Sequence, residues 1–242
     1  MTRMHRAAVL AAALFVAPAY ADEWKHEVAP YLWLSGMSGR SGVGNAVVDV
    51  DASFSDLFEN IEASFMGMYR GTKGRYSIML DAMYVGLGKT GTGPSGFVKG
   101  DLDIDQTTLE ADFGYALTEQ FHVFAGVRYL DLSLETSAVG PLGSRSSNAG
   151  KSWVDPVVGA HFTLPMSDQW SLNLRGDVAG FGVGSEMTWQ GIATLRWQAT
   201  ERLGVLAAYR YMDSDYEDGD GTNKFVYDIA LSGPAVGVVF TF

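Results

Sequence analysis

Apolar and polar side chains alternate with a period of two almost everywhere from residue 61 to the end of the chain. In the run YSIMLDAMY, Ile78 and Leu80 fall on one side, whereas Ser77 and Asp81 fall on the other. Alternation of this kind predicts β-strands with one apolar and one polar face. Beyond the N-terminal leader, no stretch is apolar over the ~20 residues that a membrane-spanning helix needs, which excludes a helical membrane protein. The chain is therefore predicted to be all-β.

The connections between these runs differ in length in a regular way. Tight turns at 72–74, 118–120, 165–168 and 199–202 alternate with long connections rich in Gly, Ser or Asp at 88–100, 137–150 and 214–222. A soluble β-sandwich also buries one face of each strand, but it does not need this asymmetry. Short turns at one end and long loops at the other are typical of an outer-membrane barrel, whose apolar face contacts lipid and whose polar face lines the lumen. We therefore predict a transmembrane antiparallel up-and-down β-barrel.

The alternation predicts ten strands, with eight or twelve as alternatives: 24–35, 61–71, 75–88, 101–117, 120–136, 151–164, 168–182, 187–199, 202–213 and 224–242. An even number places both ends of the barrel at the short-turn, periplasmic side. Segment 36–60 is predicted to be an outer loop or an inward fold. Within it, GNAVVDVDAS could pair as an extra strand or hairpin, and FSDLFENI forms a short helix capped by Ser53 or Ser55. The alternation also slips at three places, and β-bulges are predicted there: Thr107, Tyr129 and Gly233-Pro234.

The N-terminus has the features of a secretory signal peptide. Two arginines precede a short apolar run, and the small residues Ala19 and Ala21 surround a cleavage site. A membrane anchor is the alternative, but the run is well short of ~20 residues and is broken by Pro18. We therefore predict a signal peptide over 1–21 and one barrel domain over 22–242, located in the outer membrane of a Gram-negative bacterium.

The formal net charge of −11 argues against nucleic acid as a partner, because nucleic-acid-binding proteins present a basic face. The chain has no cysteine, so disulfide and thiol chemistry are excluded. It also has no phosphate-binding loop, zinc-ligand spacing or haem motif, and we predict neither a cofactor nor a metal.

The chain ends in GVVFTF, with two aromatic residues on the same parity. In a lipid-spanning barrel the last strand must pair with the first, because every backbone polar group has to be satisfied. The ending resembles the C-terminal signal by which the outer-membrane assembly machinery recognises its clients. Phe240 and Phe242 are therefore predicted to be an assembly signal. This machinery is an expected partner, together with outer-membrane lipid and lipopolysaccharide.

Two segments near the N-terminus carry a family resemblance. EVAPYLWLSGMSG (27–39) and VDVDASFSDLFENIEASFMG (48–67) resemble a group of uncharacterised bacterial outer-membrane β-barrel proteins, which are small porin-like barrels. In that group a Pro-Tyr-Leu-Trp strand precedes an Asp-rich segment and Ser-Phe-Ser-Asp-Leu. The specific resemblance covers about the first third of the chain. It implies a barrel fold and brings no assigned substrate or catalytic residue.

Charged side chains on the polar parity are predicted to face the lumen. This lumen charge network comprises Glu27, Glu62, Arg70, Asp81, Glu110, Asp112, Arg128, Asp155, Arg175, Asp177, Arg196 and Arg210. Counting from the turns places six of them at a similar height in the middle of the barrel: Asp81, Glu110, Arg128, Arg175, Asp177 and Arg210. They could form a charged constriction that passes small ions or polar solutes. They could equally form an ionic plug that satisfies buried charges and admits little, which the limited room inside ten strands favours.

Acidic residues also cluster at the predicted outer rim: Asp213, Asp215, Glu217, Asp218 and Asp220, with Asp101, Asp103 and Asp105 beside the neighbouring long loop. Carboxylates at such spacings can hold calcium, and divalent ions bridge the phosphates of outer-leaflet lipids. The EF-hand pattern is missing, however. A solvated loop surface is the simpler interpretation, and no metal site is predicted.

A barrel enzyme needs a nucleophile beside a base at one rim. His26, His122 and His161 fall near predicted periplasmic ends or short turns, and no G-x-S-x-G motif is present. We therefore predict that the protein is not an enzyme. The expected function is that of a narrow porin-like channel or a structural envelope protein with a charged lumen. A surface binding or adhesion module that uses the long outer loops is the alternative, and a barrel enzyme acting on lipid is a third, less favoured one.

Overall fold

The computed structural model describes residues 23–92, 99–140 and 143–242, so the predicted signal peptide lies outside the described residues. The strands are β1 (Lys25–Trp33), β2 (Gly36–Val43), β3 (Val48–Ala52), β4 (Ile61–Lys73), β5 (Tyr76–Thr92), β6 (Lys99–Ala116), β7 (Phe121–Gly140), β8 (Gly143–Pro165), β9 (Trp170–Ala179), β10 (Met187–Gln198), β11 (Leu203–Asp218) and β12 (Phe225–Thr241). The α-helix α1 spans Phe54–Phe58, and two 3-10 helices span Gly44–Ala46 and Gly221–Asn223. None of these described helices is long and apolar enough to cross a membrane.

Ten of the strands close into an antiparallel barrel. β1 pairs with β4, the strands from β4 to β12 pair in chain order, and β12 returns to pair with β1. The closing ladder runs from Glu27 opposite Thr241 to Trp33 opposite Ala235. Closure gives the backbone N–H and C=O groups of the first and last strands a partner. The predicted ten-stranded antiparallel barrel with a short helix is confirmed.

Segment 36–60 extends the wall of the barrel on its long-hairpin side. β2 pairs with β12 from Phe225 to Ser232, beyond the point where β1 stops, and β3 folds back on β2 as a hairpin. α1 then leads into β4. Ser53 caps this helix, because its Oγ accepts the Asp56 N–H at 3.3 Å while Asp56 Oδ2 accepts the Ser53 N–H at 2.9 Å. Of the two predicted caps, Ser53 is therefore correct and Ser55 is not.

The three predicted long loops are mostly strand. β7 continues to Gly140 and β8 begins at Gly143, while β5 extends to Thr92 and β11 to Asp218, inside the segments assigned to loops at 88–100 and 214–222. The sequence argument failed here because Gly, Ser and Asp are poor strand formers in general. In a long antiparallel ladder, backbone pairing with the adjacent strand of the hairpin holds such residues in strands. The barrel wall is consequently much taller than the membrane requires.

The polarity of the two faces reverses part-way along the strands. On the short-turn side of Tyr129 in β7, Val127 points outward and is 51% exposed, and Arg128 points inward and is 1% exposed. Beyond Tyr129 the inward position is the buried Leu130, and the outward position is Asp131. The same reversal occurs in the other tall strands. We call the two parts the inner half, with its apolar outer surface, and the outer half, with its apolar interior.

This reversal replaces the predicted bulges. Pairing runs without a shift through Thr107, through Tyr129 and through Gly233-Pro234. A register shift occurs instead between Ile61 and Ala63, where β4 enters the barrel. The bulge predictions were wrong. When the inward face changes from polar to apolar without an inserted residue, the sequence alone shows the same break in alternation as a shift of register.

Outward-facing aromatic side chains mark both limits of the apolar surface. Tyr76, Tyr115, Phe121, Trp170, Trp197 and Phe242 lie near the short turns, and Tyr84, Tyr129, Trp189 and Tyr211 lie at the polarity reversal. On β7, the eight steps from Phe121 to Tyr129 rise about 27 Å along the strand. A strand tilt of ~40° reduces this to about 21 Å, close to the ~25 Å apolar band of outer-membrane barrels. The inner half therefore has the height of a membrane.

Candidate functional site

Ion pairs centred on two arginines fill the middle of the lumen. Arg128 donates from Nε to Glu110 Oε2 at 2.5 Å and from Nη2 to Asp177 Oδ1 at 2.7 Å. Arg175 donates to Asp177 Oδ2 at 3.0 Å, to Asp112 Oδ2 at 3.1 Å and also to Glu110. The side chains of Arg128 and Asp177 are 1% and 0% exposed, so these charges are stabilised by each other rather than by water.

Glycines on the lumen face make room for this cluster. Gly126 on β7 lies against Asp112, and Gly159 on β8 lies against Asp177; a Cβ atom at either glycine would overlap the neighbouring side chain. Because β8 carries no side chain at Gly159, Asp177 of β9 can approach Arg128 of β7 across the intervening strand. The two glycines thus allow ion pairs between strands that are not neighbours.

A second set of polar contacts continues around the barrel. Gln190 donates to Asp177 at 2.8 Å and accepts from Arg210 Nε at 2.7 Å. Arg210 Nη1 also donates to the Tyr31 hydroxyl at 3.2 Å, and that hydroxyl donates to Asp81 at 3.0 Å. All six charges that the sequence placed at mid-height therefore belong to one connected mid-lumen network. Gln190 and Tyr31, which join its two parts, were missed because the sequence search considered only charged residues.

Asp112 joins this network through Arg175, and the other predicted lumen charges lie outside it. Arg196 and Glu27 form a separate pair at 2.6 Å near the short turns. Asp155 is buried farther out, where it accepts the backbone N–H of Ser185 at 2.7 Å and its hydroxyl at 2.8 Å. Like Asp155, Glu62 and Arg70 form no ion pair with any residue that the structure describes.

An apolar cluster fills the lumen of the outer half. This outer core contains Trp33, Met66, Met83, Leu130, Trp153, Met212, Tyr216, Phe225, Tyr227, Ile229, Leu231 and Ala235. Trp153 and Tyr216 stack with their ring centroids 4.0 Å apart, and Leu130, Met212 and Ile229 are each 2% exposed. The sequence interpretation missed this core. Leu130 and Leu132 could have indicated it, because these apolar residues alternate in step with the inward-facing Arg128.

Two small cavities lie on the short-turn side of the mid-lumen network. Their volumes are about 150 Å³ and about 90 Å³. Arg70, Met79, His161 and Arg175 line both, so the cavities are neighbours, and we call them together the vestibule. The vestibule is the part of the described lumen with room for a small molecule beside charged groups.

The acidic residues predicted at the rim lie along strands of the outer half. Asp101, Asp103 and Asp105 share the outward face of β6, and Asp213, Asp215 and Glu217 share that of β11. Partial burial and the nearby carboxylates of Asp228 and Glu217 raise the pKa of Asp215 above its ordinary value. The described ranges contain no group of three or more His, Asp or Glu residues placed to hold a metal ion.

The last residues of the chain are held in the barrel wall. Phe240 and Phe242 point outward and are 45% and 59% exposed. The backbone of Phe242 exchanges two hydrogen bonds with that of His26, each 3.0 Å long, and the two rings stack at 6.1 Å. This geometry leaves both phenylalanine rings on the apolar outer surface of the inner half.

The three histidines of the described chain all lie in the inner half. His122 and His161 face each other across the β7–β8 ladder inside the lumen, with ring centroids 6.0 Å apart. The His26 side chain points outward, and its Nδ1 atom forms a hydrogen bond with the Tyr69 hydroxyl at 2.8 Å. None of these imidazoles reaches the outer half, where the long hairpins meet.

Comparison with known proteins identifies the fold. The outer membrane protease OmpT from Escherichia coli superposes with a TM-score of 0.56 at 7% identity, covering 93% of this chain and 99% of that one. The translocator domain of the autotransporter NalP from Neisseria meningitidis gives a TM-score of 0.49 at 15% identity, covering 91% and 89% of the two chains. No family model and no curated sequence matches the chain. The fold is that of an outer-membrane β-barrel, in agreement with the predicted location.

Proposed function

We propose that this outer-membrane β-barrel is a structural envelope protein with a closed lumen, rather than a porin-like channel. The observation that carries the proposal is the mid-lumen network, in which Arg128 and Asp177 are shielded from water. A conducting pore needs a continuous path lined by water or weakly held charges. Ion pairs buried to this degree act instead as a plug of the lumen.

The energetics of permeation support the same proposal. An ion that crosses the network has to displace Arg128 from Glu110 or Asp177, and leaving one buried partner without its counter-charge costs about 3–5 kcal/mol. It would then meet the outer core, where Trp153 and Tyr216 are stacked face to face. A polar solute gains nothing there to offset its lost hydration.

Planar-bilayer recording tests this proposal. Purified protein, shown to be folded by its heat-modifiable migration on a gel, is expected to leave the bilayer silent. Arg128→Ala and Arg175→Ala serve as comparison proteins, because each opens the network without changing the barrel wall. Discrete conductance steps in the wild type that change size in these variants would establish a channel and contradict the proposal.

The same proposal includes the partners expected from the sequence. Outer-membrane lipid and lipopolysaccharide would contact the outward apolar surface, and the assembly machinery would recognise Phe240 and Phe242. Phe242→Ala is expected to lower the amount of heat-modifiable protein in the outer membrane, whereas Phe225→Ala, which alters an inward-facing ring, is the comparison for a loss of packing alone. Equal yields of wild type and Phe242→Ala would remove the signal role.

We also propose that the protein has no enzymatic activity, although OmpT is a protease. The supporting observation is that the described histidines lie in the inner half, away from the long hairpins. Lipid hydrolysis by folded wild type, compared with His161→Ala, is the test. Turnover that the His161 substitution abolishes would make this imidazole a base and overturn the proposal.

Surface binding is the second candidate, and one feature of the outer half favours it. β9 pairs with β8 only from Val157 to Pro165, so within the described residues β8 from Gly143 to Trp153 pairs with β7 on one side and has no strand paired to its other edge. An exposed edge of this kind can accept an extended peptide as an added strand. Trimming 137–150 and, separately, 214–222 tests this candidate in cell-binding assays. Binding that survives both deletions in a barrel that still assembles would count against it.

A further inference from the structure

Arg70 is a cation in the vestibule that lacks a carboxylate partner within the described residues. Glu27 lies directly opposite it across the β1–β4 ladder, but Glu27 pairs with Arg196 at 2.6 Å. The carboxylates farther up the lumen are held by the arginines of the mid-lumen network. A guanidinium group carries five N–H donors and stays charged at any physiological pH. Enclosed beside a cavity and without a counter-charge, it favours an anion.

The other groups around the smaller cavity are suited to an anion as well. Three hydroxyl groups and two imidazoles line it together with Arg70: Thr72, Ser77, Thr163, His122 and His161. These groups come from β4, β5, β7 and β8, so they approach the cavity from several directions. The single carboxylate in its wall is Asp112, which Arg175 already holds at 3.1 Å. The wall therefore has more donors than acceptors.

A missing side chain keeps this space open. Gly114 faces the cavity from β6, and a Cβ atom there would overlap the Ser77 hydroxyl. With a volume of about 90 Å³ beside a second space of about 150 Å³, the vestibule has room for several waters. One water occupies ~30 Å³ in the liquid, so an anion of about five heavy atoms fits.

We propose that the smaller cavity of the vestibule is a binding site for a small tetrahedral oxyanion, namely inorganic phosphate or the phosphate group of a monoester; the larger cavity is lined by the carboxylates of Glu27, Asp81 and Glu110 and is not part of the site. Arg70 is the principal ligand, because its planar fork of donors can bind two phosphate oxygens at once. The hydroxyl groups of Thr72 and Ser77 hold the remaining oxygens, whereas the Thr163 hydroxyl donates to Asn173 Oδ1 at 3.0 Å. The site lies on the short-turn side of the network, so it does not depend on whether the lumen conducts.

Calorimetric titration of the folded barrel in an uncharged maltoside detergent tests this site. Inorganic phosphate and glycerol phosphate are titrated as probes, with acetate and chloride at matched ionic strength. Phosphate binding that excess chloride does not displace is expected. Arg70→Gln should weaken it at least about tenfold, since a hydrogen-bonded charge contributes about 1.5–3 kcal/mol and 1.4 kcal/mol is tenfold.

Arg75→Gln is the matched control, because it removes the same charge from the adjacent turn, where Arg75 contacts only the Tyr115 hydroxyl at 3.4 Å. It should change phosphate affinity less than about twofold. Gly114→Ala is a second, uncharged variant, which should weaken binding by narrowing the cavity even if Arg70→Gln fails to fold. Equal loss in Arg70→Gln and Arg75→Gln, or wild-type binding no stronger than that of chloride, would overturn the proposal.

Discussion

The inner and outer halves of this barrel share the tall strands β5 to β8, β11 and β12, along which the polarity of the two faces reverses. In the inner half, charges such as Arg128 are enclosed and apolar groups such as Val127 are exposed. In the outer half, Leu130 is enclosed and Asp131 faces outward. A strand only fixes which side chains share a face. The medium around the wall decides which face is apolar, so the reversal at Tyr129 marks the boundary between lipid and water.

The boundary itself has a repeated structure. Tyr84, Tyr129 and Tyr211 each donate a hydroxyl hydrogen bond to an aspartate on the outer side, with distances of 2.5, 3.2 and 3.2 Å. A tyrosine at a membrane interface keeps its ring in the apolar layer and its hydroxyl in the polar one. The aspartates thus begin where the apolar layer ends. The two halves therefore rely on different interactions inside the lumen, and substitutions can separate them.

The largest expected effect is in the inner half. Arg128→Met removes one of the two arginines that pair with both Glu110 and Asp177, and leaves both buried carboxylates with fewer donors. We expect a loss of about 3–5 kcal/mol in the free energy of unfolding, as for other broken buried ion pairs. Urea unfolding in lipid vesicles, with Arg75→Met as control, measures it. A change below about 1 kcal/mol, typical of exposed pairs, would show that the network is solvated.

The outer half should respond to a loss of apolar volume instead. Leu130→Ala removes a side chain that is 2% exposed within the outer core, and such truncations cost about 2–5 kcal/mol. Amide hydrogen exchange should increase mainly in the outer parts of β7, β11 and β12, while the inner half keeps its protection. Uniform loss of protection in both halves would mean that they unfold as one unit.

A matched pair of outward substitutions tests the boundary directly. Ala125 and Ser133 are small residues on the same face of β7, on opposite sides of Tyr129. Ala125→Arg places a charge near the middle of the apolar surface and should cost about 2–4 kcal/mol, whereas Ser133→Arg should cost about 0–1 kcal/mol. Unfolding of both variants in the same vesicles gives the comparison. Equal costs would place both positions in one medium.

The smallest effect is expected for an ion pair at the outer surface. Lys151 of β8 pairs with Asp218 of β11, and the hydrogen bond from Lys151 holds the pKa of the Asp218 carboxyl below its ordinary value. The stabilisation from this ion pair is therefore present above the ordinary pKa of an aspartate, and it is lost as the pH falls through the lowered pKa of Asp218. Both groups are well exposed, so thermal unfolding of Asp218→Asn at neutral pH should be indistinguishable from wild type. A clear drop in the midpoint of unfolding would show that this ion pair links β8 to β11 and stabilises the barrel.

Much of the inner half followed from the sequence because lipid imposes a strict rule there. The alternation of apolar and polar residues identified the charges that face inward. Counting residues from the short turns predicted that Arg128 and Arg175 lie at the same height in the barrel. The short helix was also predicted, with Ser53 as one of its two possible caps. These are local patterns, which a single strand or turn contains in full.

The outer half was predicted poorly for the opposite reason. The prediction assigned every apolar face to lipid, which assumes that lipid surrounds the whole length of each strand. Because of that assumption, the reversal at Tyr129 was predicted to be a bulge. The sequence also could not show that Arg70 has no carboxylate partner among the described residues. Glu27 could pair with either Arg70 or Arg196, and which pair forms depends on where their three strands lie around the closed wall. Contacts between strands that are not neighbours are set by curvature and by glycines such as Gly159.

The central claim is that the apolar outer surface of the inner half contacts acyl chains up to Tyr129. The chain has no cysteine, so Ala125→Cys and Ser133→Cys each provide a single thiol for labelling by a membrane-impermeant maleimide in whole cells. We predict that Ser133→Cys is labelled within minutes and that Ala125→Cys is not labelled until the protein is unfolded. Equal labelling of the two folded variants would contradict the account.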